Sequence, residues 1–238
     1  MFLLLTLLLT GRMLAFPQPT DYGRIFGKDW EMAGEFVRKN EKWMKELTGR
    51  YDVPYDIAVS VVFPELVRYS ALLDKIEITL LKSLYISLGD EYANFSVGRF
   101  QMKPSFAEAV NTSIHLFRNR LRNKFRQENE FDAPWKYRSS IVSGLEDPES
   151  QFLFLIAFLK ICEHNYDLKA MGDEQKVKFL STAYNYSFLK SFDDVNSMSD
   201  KKFFSTKLVA EEYYSYSDIS LAWYRKYKES LTLPGNKN

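Results

Sequence analysis

A carboxylate placed directly after a long apolar run is a group that can move protons. Glu65 follows Val61-Val62-Phe63-Pro64 and precedes Leu66-Val67-Arg68. Desolvation disfavours the charged form of such a side chain and raises its pKa. A Glu of this kind can hold a proton near neutral pH and donate it to a leaving oxygen. The plain alternative is a Glu65 that faces solvent or pairs with Arg68, three residues on. A second segment, Ser96-Val97-Gly98-Arg99-Phe100-Gln101-Met102-Lys103-Pro104, holds binding chemistry. Gly98 allows a tight backbone close to a ligand. Gln101 supplies a donor and an acceptor for sugar hydroxyl or acetamido groups, and Met102 an adaptable apolar wall. A third segment, Ser181-Thr182-Ala183-Tyr184-Asn185-Tyr186-Ser187, places a Tyr hydroxyl beside an Asn amide, where the pair can hold a neighbouring carboxyl group.

Composition narrows the remaining chemistry. The 238 residues carry 32 Lys+Arg against 31 Asp+Glu, a balance that argues against nucleic acid as partner. One Cys excludes an intrachain disulfide and a Cys-rich metal centre, and two His make a His-based metal site improbable. No metal and no cofactor is expected. Cys162 reads as a small core residue, His115 as structural, and His164 as a helix-end residue. With 46% hydrophobic and 16% aromatic residues, the chain can bury one large core.

The elements that must position these segments read as helices. Apolar spacing predicts helices over residues 29–48, 55–71, 74–88, 105–126, 152–162 and 215–230, with a kink or restart at Pro64 and a stop at Gly89. Residues 152–162 are apolar nearly all round and too short to span a membrane, so they form a buried central helix. The helix over 105–126 would turn Arg118, Arg120, Arg122, Lys124 and Arg126 to one face, either a solvated surface or a groove for an anionic polymer. Residues 127–150 and 191–207 read as connectors. Residues 2–9 form a short apolar run followed by Ala15, which reads as a secretory signal over residues 1–15. That leaves residues 16–238 as a single exported helical domain.

The order of the three segments resembles the soluble lytic transglycosylases and the goose-type lysozymes of the same lysozyme-like group. In that family a helix ends in Glu-Ser, a Gly-Leu-Met-Gln-x-x-Pro segment lines the sugar groove, and Ala-Tyr-Asn-Ala-Gly follows. Here Glu65 corresponds to the acid. Ser96, Gly98, Phe100, Gln101, Met102 and Pro104 correspond to the second motif, and Ala183, Tyr184 and Asn185 to the third. The resemblance covers roughly residues 50–190. It implies an all-α, lysozyme-like domain, with an inserted helix because Glu65 and Gln101 are 36 residues apart. Leu66 in place of Ser, and Tyr186-Ser187 in place of Ala-Gly, imply an altered groove.

The resemblance also implies a function: cleavage of the β-1,4 bond between N-acetylmuramic acid and N-acetylglucosamine in peptidoglycan by a single catalytic Glu65. Ser96, Gly98, Gln101, Met102, Tyr184 and Asn185 would bind substrate. The partner would be peptidoglycan glycan strands, and the setting the periplasm or envelope of a bacterium, with envelope machinery as a further partner. A lysozyme-type hydrolase is the alternative, its second carboxylate drawn from Asp74, Glu77, Asp90 or Glu91. A non-catalytic peptidoglycan binder or scaffold on the same fold is another, and an all-α exported protein unrelated to glycans a fourth. Tyr92, Phe95, Phe100, Tyr184 and Tyr186 are candidates for stacking on sugar rings. The readings part on geometry: an enzyme needs Glu65, Gln101 and Tyr184 in one cleft.

Overall fold

A computed structural model describes residues 20–71, 75–93, 95–206 and 212–232. The signal segment read over residues 1–15 lies outside them, as does Asp74. The chain runs α1 (Tyr22–Phe26), α2 (Lys28–Arg50), α3 (Tyr55–Ala71), α4 (Lys75–Leu88), α5 (Pro104–Ile114), α6 (Pro134–Glu146), α7 (Pro148–Asn165), α8 (Asp173–Asn185), α9 (Phe192–Ser197), β1 (Lys202–Phe204), β2 (Tyr214–Ser215) and α10 (Tyr216–Thr232). The fold is mostly helical. The two short strands pair antiparallel, Lys202 with Ser215 and Phe204 with Tyr214. No helix among the described residues is long and apolar enough to cross a membrane.

Helix α7 is the hydrophobic centre, as its all-round apolar pattern requires. Phe152, Leu155, Ile156, Ala157, Phe158 and Cys162 are fully buried. Asp147 caps its start by accepting from the Ser150 amide at 2.8 Å. Helix α3 packs against α2, α8 and α10. It runs through Pro64 as one helix, where the sequence suggested a kink or restart. Pro in a helix interior costs about 3 kcal/mol, and burial of Val61, Val62, Phe63, Leu66 and Val67 on the same stretch offsets it. Trp223 of α10 stacks on Phe63 at 3.8 Å, which locks the C-terminal helix onto α3. The helix predicted over 74–88 is α4, and it stops at Gly89, whose φ of 101° few other residues adopt.

Three sequence expectations change. The helix over 105–126 ends at Ile114. Asn119 diverts the chain beyond it, its side chain accepting from the Leu121 amide at 2.8 Å, a local bond that competes with helical pairing. Leu121 and Phe125 are still buried, so the apolar spacing was real while the helix was not. The cations of this stretch therefore lie on a loop that includes one 3-10 turn at Arg122–Lys124, with Arg120 paired to Asp52 and Arg126 near Glu130. His115 ties the loop down: Arg122 donates to its Nδ1 at 3.2 Å, leaving Nε2–H to donate to the Phe125 carbonyl at 2.9 Å. His164 stacks on Phe117 at 4.3 Å in the last turn of α7. The connector read over 127–150 contains α6. Its prolines mark helix starts, since Pro134 and Pro148 each occupy a first turn, where a missing amide hydrogen costs little. The connector over 191–207 contains α9 and β1.

Candidate active site

Glu65 lies inside α3 and is 4% exposed. The second segment forms a tight turn in which Val97 and Met102 exchange backbone hydrogen bonds of 2.8 and 3.1 Å. Gly98 and Gln101 take positive φ angles of 69° and 47°. Gln101 is a non-glycine residue in the left-handed region, a strained conformation that persists only where its surroundings impose it. The imposing groups are visible. The fully buried Gln151 of α7 accepts from the Phe100 amide at 3.1 Å and donates to the Val97 carbonyl at 2.6 Å. Tyr184 of α8 donates its hydroxyl to the Phe100 carbonyl at 2.8 Å. Gln101 itself donates one N–H of its side-chain amide to the Gly98 carbonyl at 2.9 Å, which leaves the second N–H and the amide oxygen for a ligand.

The turn, the middle of α3, the start of α5 and the end of α8 enclose one cavity of about 400 Å³. Glu65, Ser96, Gln101, Met102, Tyr184 and Asn185 all line it, together with Arg68, Lys103, Phe106 and Tyr186. Three segments spread over the chain thus converge on one cleft. Gly98 is the exception among the residues read as substrate-binding. It faces the protein, not the cleft: a Cβ there would stand 2.3 Å from the Leu145 carbonyl oxygen and 2.6 Å from Gln151 Oε1. Tyr184 differs in role as well, because its hydroxyl holds the turn and not a carboxyl group.

Arg68 donates to both oxygens of Glu65 at 3.0 Å. Its guanidinium also lies over the Phe204 ring and donates to the Ser205 carbonyl at 3.4 Å, which joins α3 to β1. Burial pushes the Glu65 carboxyl up from its ordinary value of 4.5, and the charge and hydrogen bonds of Arg68, then the charge of Lys103, pull in the other direction. The net direction is upward, the direction a general acid needs. Tyr184 and Tyr216 are pushed well up by burial, with the Glu65 charge as the next cause in each. Tyr216 was not singled out in the sequence, where it is one of three Tyr within four positions. Its hydroxyl is buried with no hydrogen-bond partner among the described residues, and its ring lies 6.4 Å from that of Tyr184.

Among the described residues lining the cleft, Glu65 is the one carboxylate. Asp90 and Glu91 are exposed and lie elsewhere; the Glu77 side chain is outside the described residues. Tyr92, 63% exposed, does not line the cleft, and Phe95 and Phe100 are buried in the core. Tyr186 does line it and is 44% exposed, with a face free to stack. The described residues contain no group of three or more metal-ligating acidic, His or Cys side chains.

The upward shift of Glu65 makes a stability prediction. Between 4.5 and the raised folded value, the native state keeps a proton that the unfolded chain has released, so stability falls as pH rises through that window. The thermal midpoint of the native protein, minus that of Glu65→Gln, is expected to decline from about pH 4 upward. A difference that rises with pH would mean that Arg68 keeps the carboxylate ionised, and Glu65 could not serve as the acid.

The chain matches no protein-family model, no curated protein and no solved structure.

Proposed function

We propose that this protein is a peptidoglycan lytic transglycosylase with Glu65 as its single acid and base. The observation that supports this reading most is a buried carboxylate in the one cleft that Ser96, Gln101, Met102, Tyr184 and Asn185 share. On this reading the helical fold is a lysozyme-like domain, and the protein acts in the bacterial envelope on glycan strands.

Protonated Glu65 gives its proton to the glycosidic oxygen, and the bond from that oxygen to C1 of the muramic residue breaks. The substrate's acetamido group stabilises the positive centre left at C1. Glu65, now a carboxylate, takes the proton of the same sugar's 6-hydroxyl as O6 bonds to C1. The 1,6-anhydro ring closes, the acid is regenerated and no water is consumed. A second carboxylate is the usual requirement of glycosidases that act through water or a covalent intermediate. Among the described residues lining the cleft Glu65 is the one carboxylate, which favours the intramolecular route. Arg68 and Lys103 give the cleft a cationic wall suited to a substrate that bears carboxylates.

The test is mass spectrometry of fragments released from isolated peptidoglycan. Muropeptides lighter by one water than reducing-end fragments are expected. Reducing-end products would instead identify a hydrolase, and absence of any release would leave a binding or scaffolding role.

A further inference from the structure

Beside the Glu65 cleft lies a second cavity of about 580 Å³, formed where the end of α7 meets the loop between α8 and α9. Phe188 and Leu189 line both cavities, so the two adjoin. Its floor is apolar, made by buried Tyr166 and Phe188 and half-buried Phe192. The Tyr166 hydroxyl donates to the Phe188 and Lys190 carbonyls at 2.7 and 2.8 Å, so the wall shared with the cleft is fixed in place. The rim is polar and carries one charge of each sign, Asp167 and Lys190, both exposed. Neither forms an ion pair with the other, although opposite charges elsewhere on this surface do pair. Two unlike charges that do not pair with each other, on the rim of an apolar floor, suit a ligand with an amine and a carboxylate separated by aliphatic chain. A volume of this size lies in the ordinary range of ligand pockets.

We propose that this cavity binds the short peptide borne by the muramic residues of the glycan, with Lys190 taking a peptide carboxylate and Asp167 its free amine. The inference rests on the function proposed above, since it is the glycan in the Glu65 cleft that would present the peptide. An extended peptide of three to four residues spans about 10–14 Å, a length suited to reaching an adjoining cavity from the cleft. The protein would then distinguish peptide-bearing strands from naked ones.

Two measurements separate this inference from the reading it rests on. In the first, the protein and its Asp167→Asn/Lys190→Gln double variant digest peptidoglycan before and after the peptides are removed with an amidase. The native protein is expected to show kcat/KM at least about tenfold higher on peptide-bearing strands, as charged hydrogen bonds of ordinary strength provide. The double variant should bring that ratio toward one. Both changed residues are exposed, where substitutions leave folding stability nearly unchanged. Equal cleavage of both substrates by the native protein would overturn the inference and leave the enzyme reading standing. In the second measurement, the free tetrapeptide is titrated calorimetrically into Glu65→Gln protein, with and without the double change. Binding that the double change abolishes supports the peptide site even if no glycan is cut; no binding overturns it.

Discussion

Replacing Glu65 with Gln is expected to reduce glycan cleavage by about a hundred- to ten-thousand-fold, the usual contribution of a positioned general acid and base. Gln keeps the volume of the side chain, and its carbonyl can still accept from Arg68, so the cleft keeps its shape. It has no proton to give at neutral pH and cannot take one from a sugar hydroxyl. No other described carboxylate lines the cleft to assume either role. The loss should fall on kcat, with KM little changed, since Glu65 acts on the reacting atoms more than on binding. The measurement is release of muropeptides by native and variant protein, with thermal unfolding of both as a control. A folded variant that retains a tenth of native activity would remove Glu65 from the mechanism.

The second large effect is on folding. Gly98→Ala should destabilise the protein by about 2–5 kcal/mol, the sum of a left-handed backbone penalty and overpacking. The φ of 69° disfavours any side chain, and the added Cβ would meet the Leu145 carbonyl oxygen at 2.3 Å, which belongs to helix backbone and cannot move cheaply. For a chain of this size the thermal midpoint should drop by about 5–15 °C. The consequence reaches the cleft, because the same turn presents Gln101 and Met102 to it. A midpoint within about 2 °C of native would show that the turn is not pinned between α6 and α7. A variant that is stable but inactive would return Gly98 to the role of close contact with ligand.

Some of this protein was already settled by local sequence. The apolar patterns of residues 29–48, 55–71, 74–88, 152–162 and 215–230 place α2, α3, α4, α7 and α10, because helical spacing of apolar residues, or an all-round apolar run in α7, is written in the local sequence. The same spacing misled after Ile114, where Asn119 offers the backbone a local partner and a loop buries the same Leu121 and Phe125 that a helix would. It also hid α6, since a proline reads as a breaker until its place in a first turn is known. For the site, the sequence supplied residue types and order, and Glu65, Ser96, Gln101, Met102, Tyr184 and Asn185 do share a cleft. Tertiary structure alone decided what each of them touches. Gly98 packs against Gln151 and Leu145, Tyr184 spends its hydroxyl on Phe100, and Tyr216 arrives beside Glu65 from the far end of the chain. Those contacts join the turn at Gly98–Phe100 and helices far apart in the chain, and their distances follow from how α3, α6, α7, α8 and α10 pack around that turn. Burial of a carboxylate, and with it the direction of its pKa, is a property of that packing and not of the residues beside it in the chain.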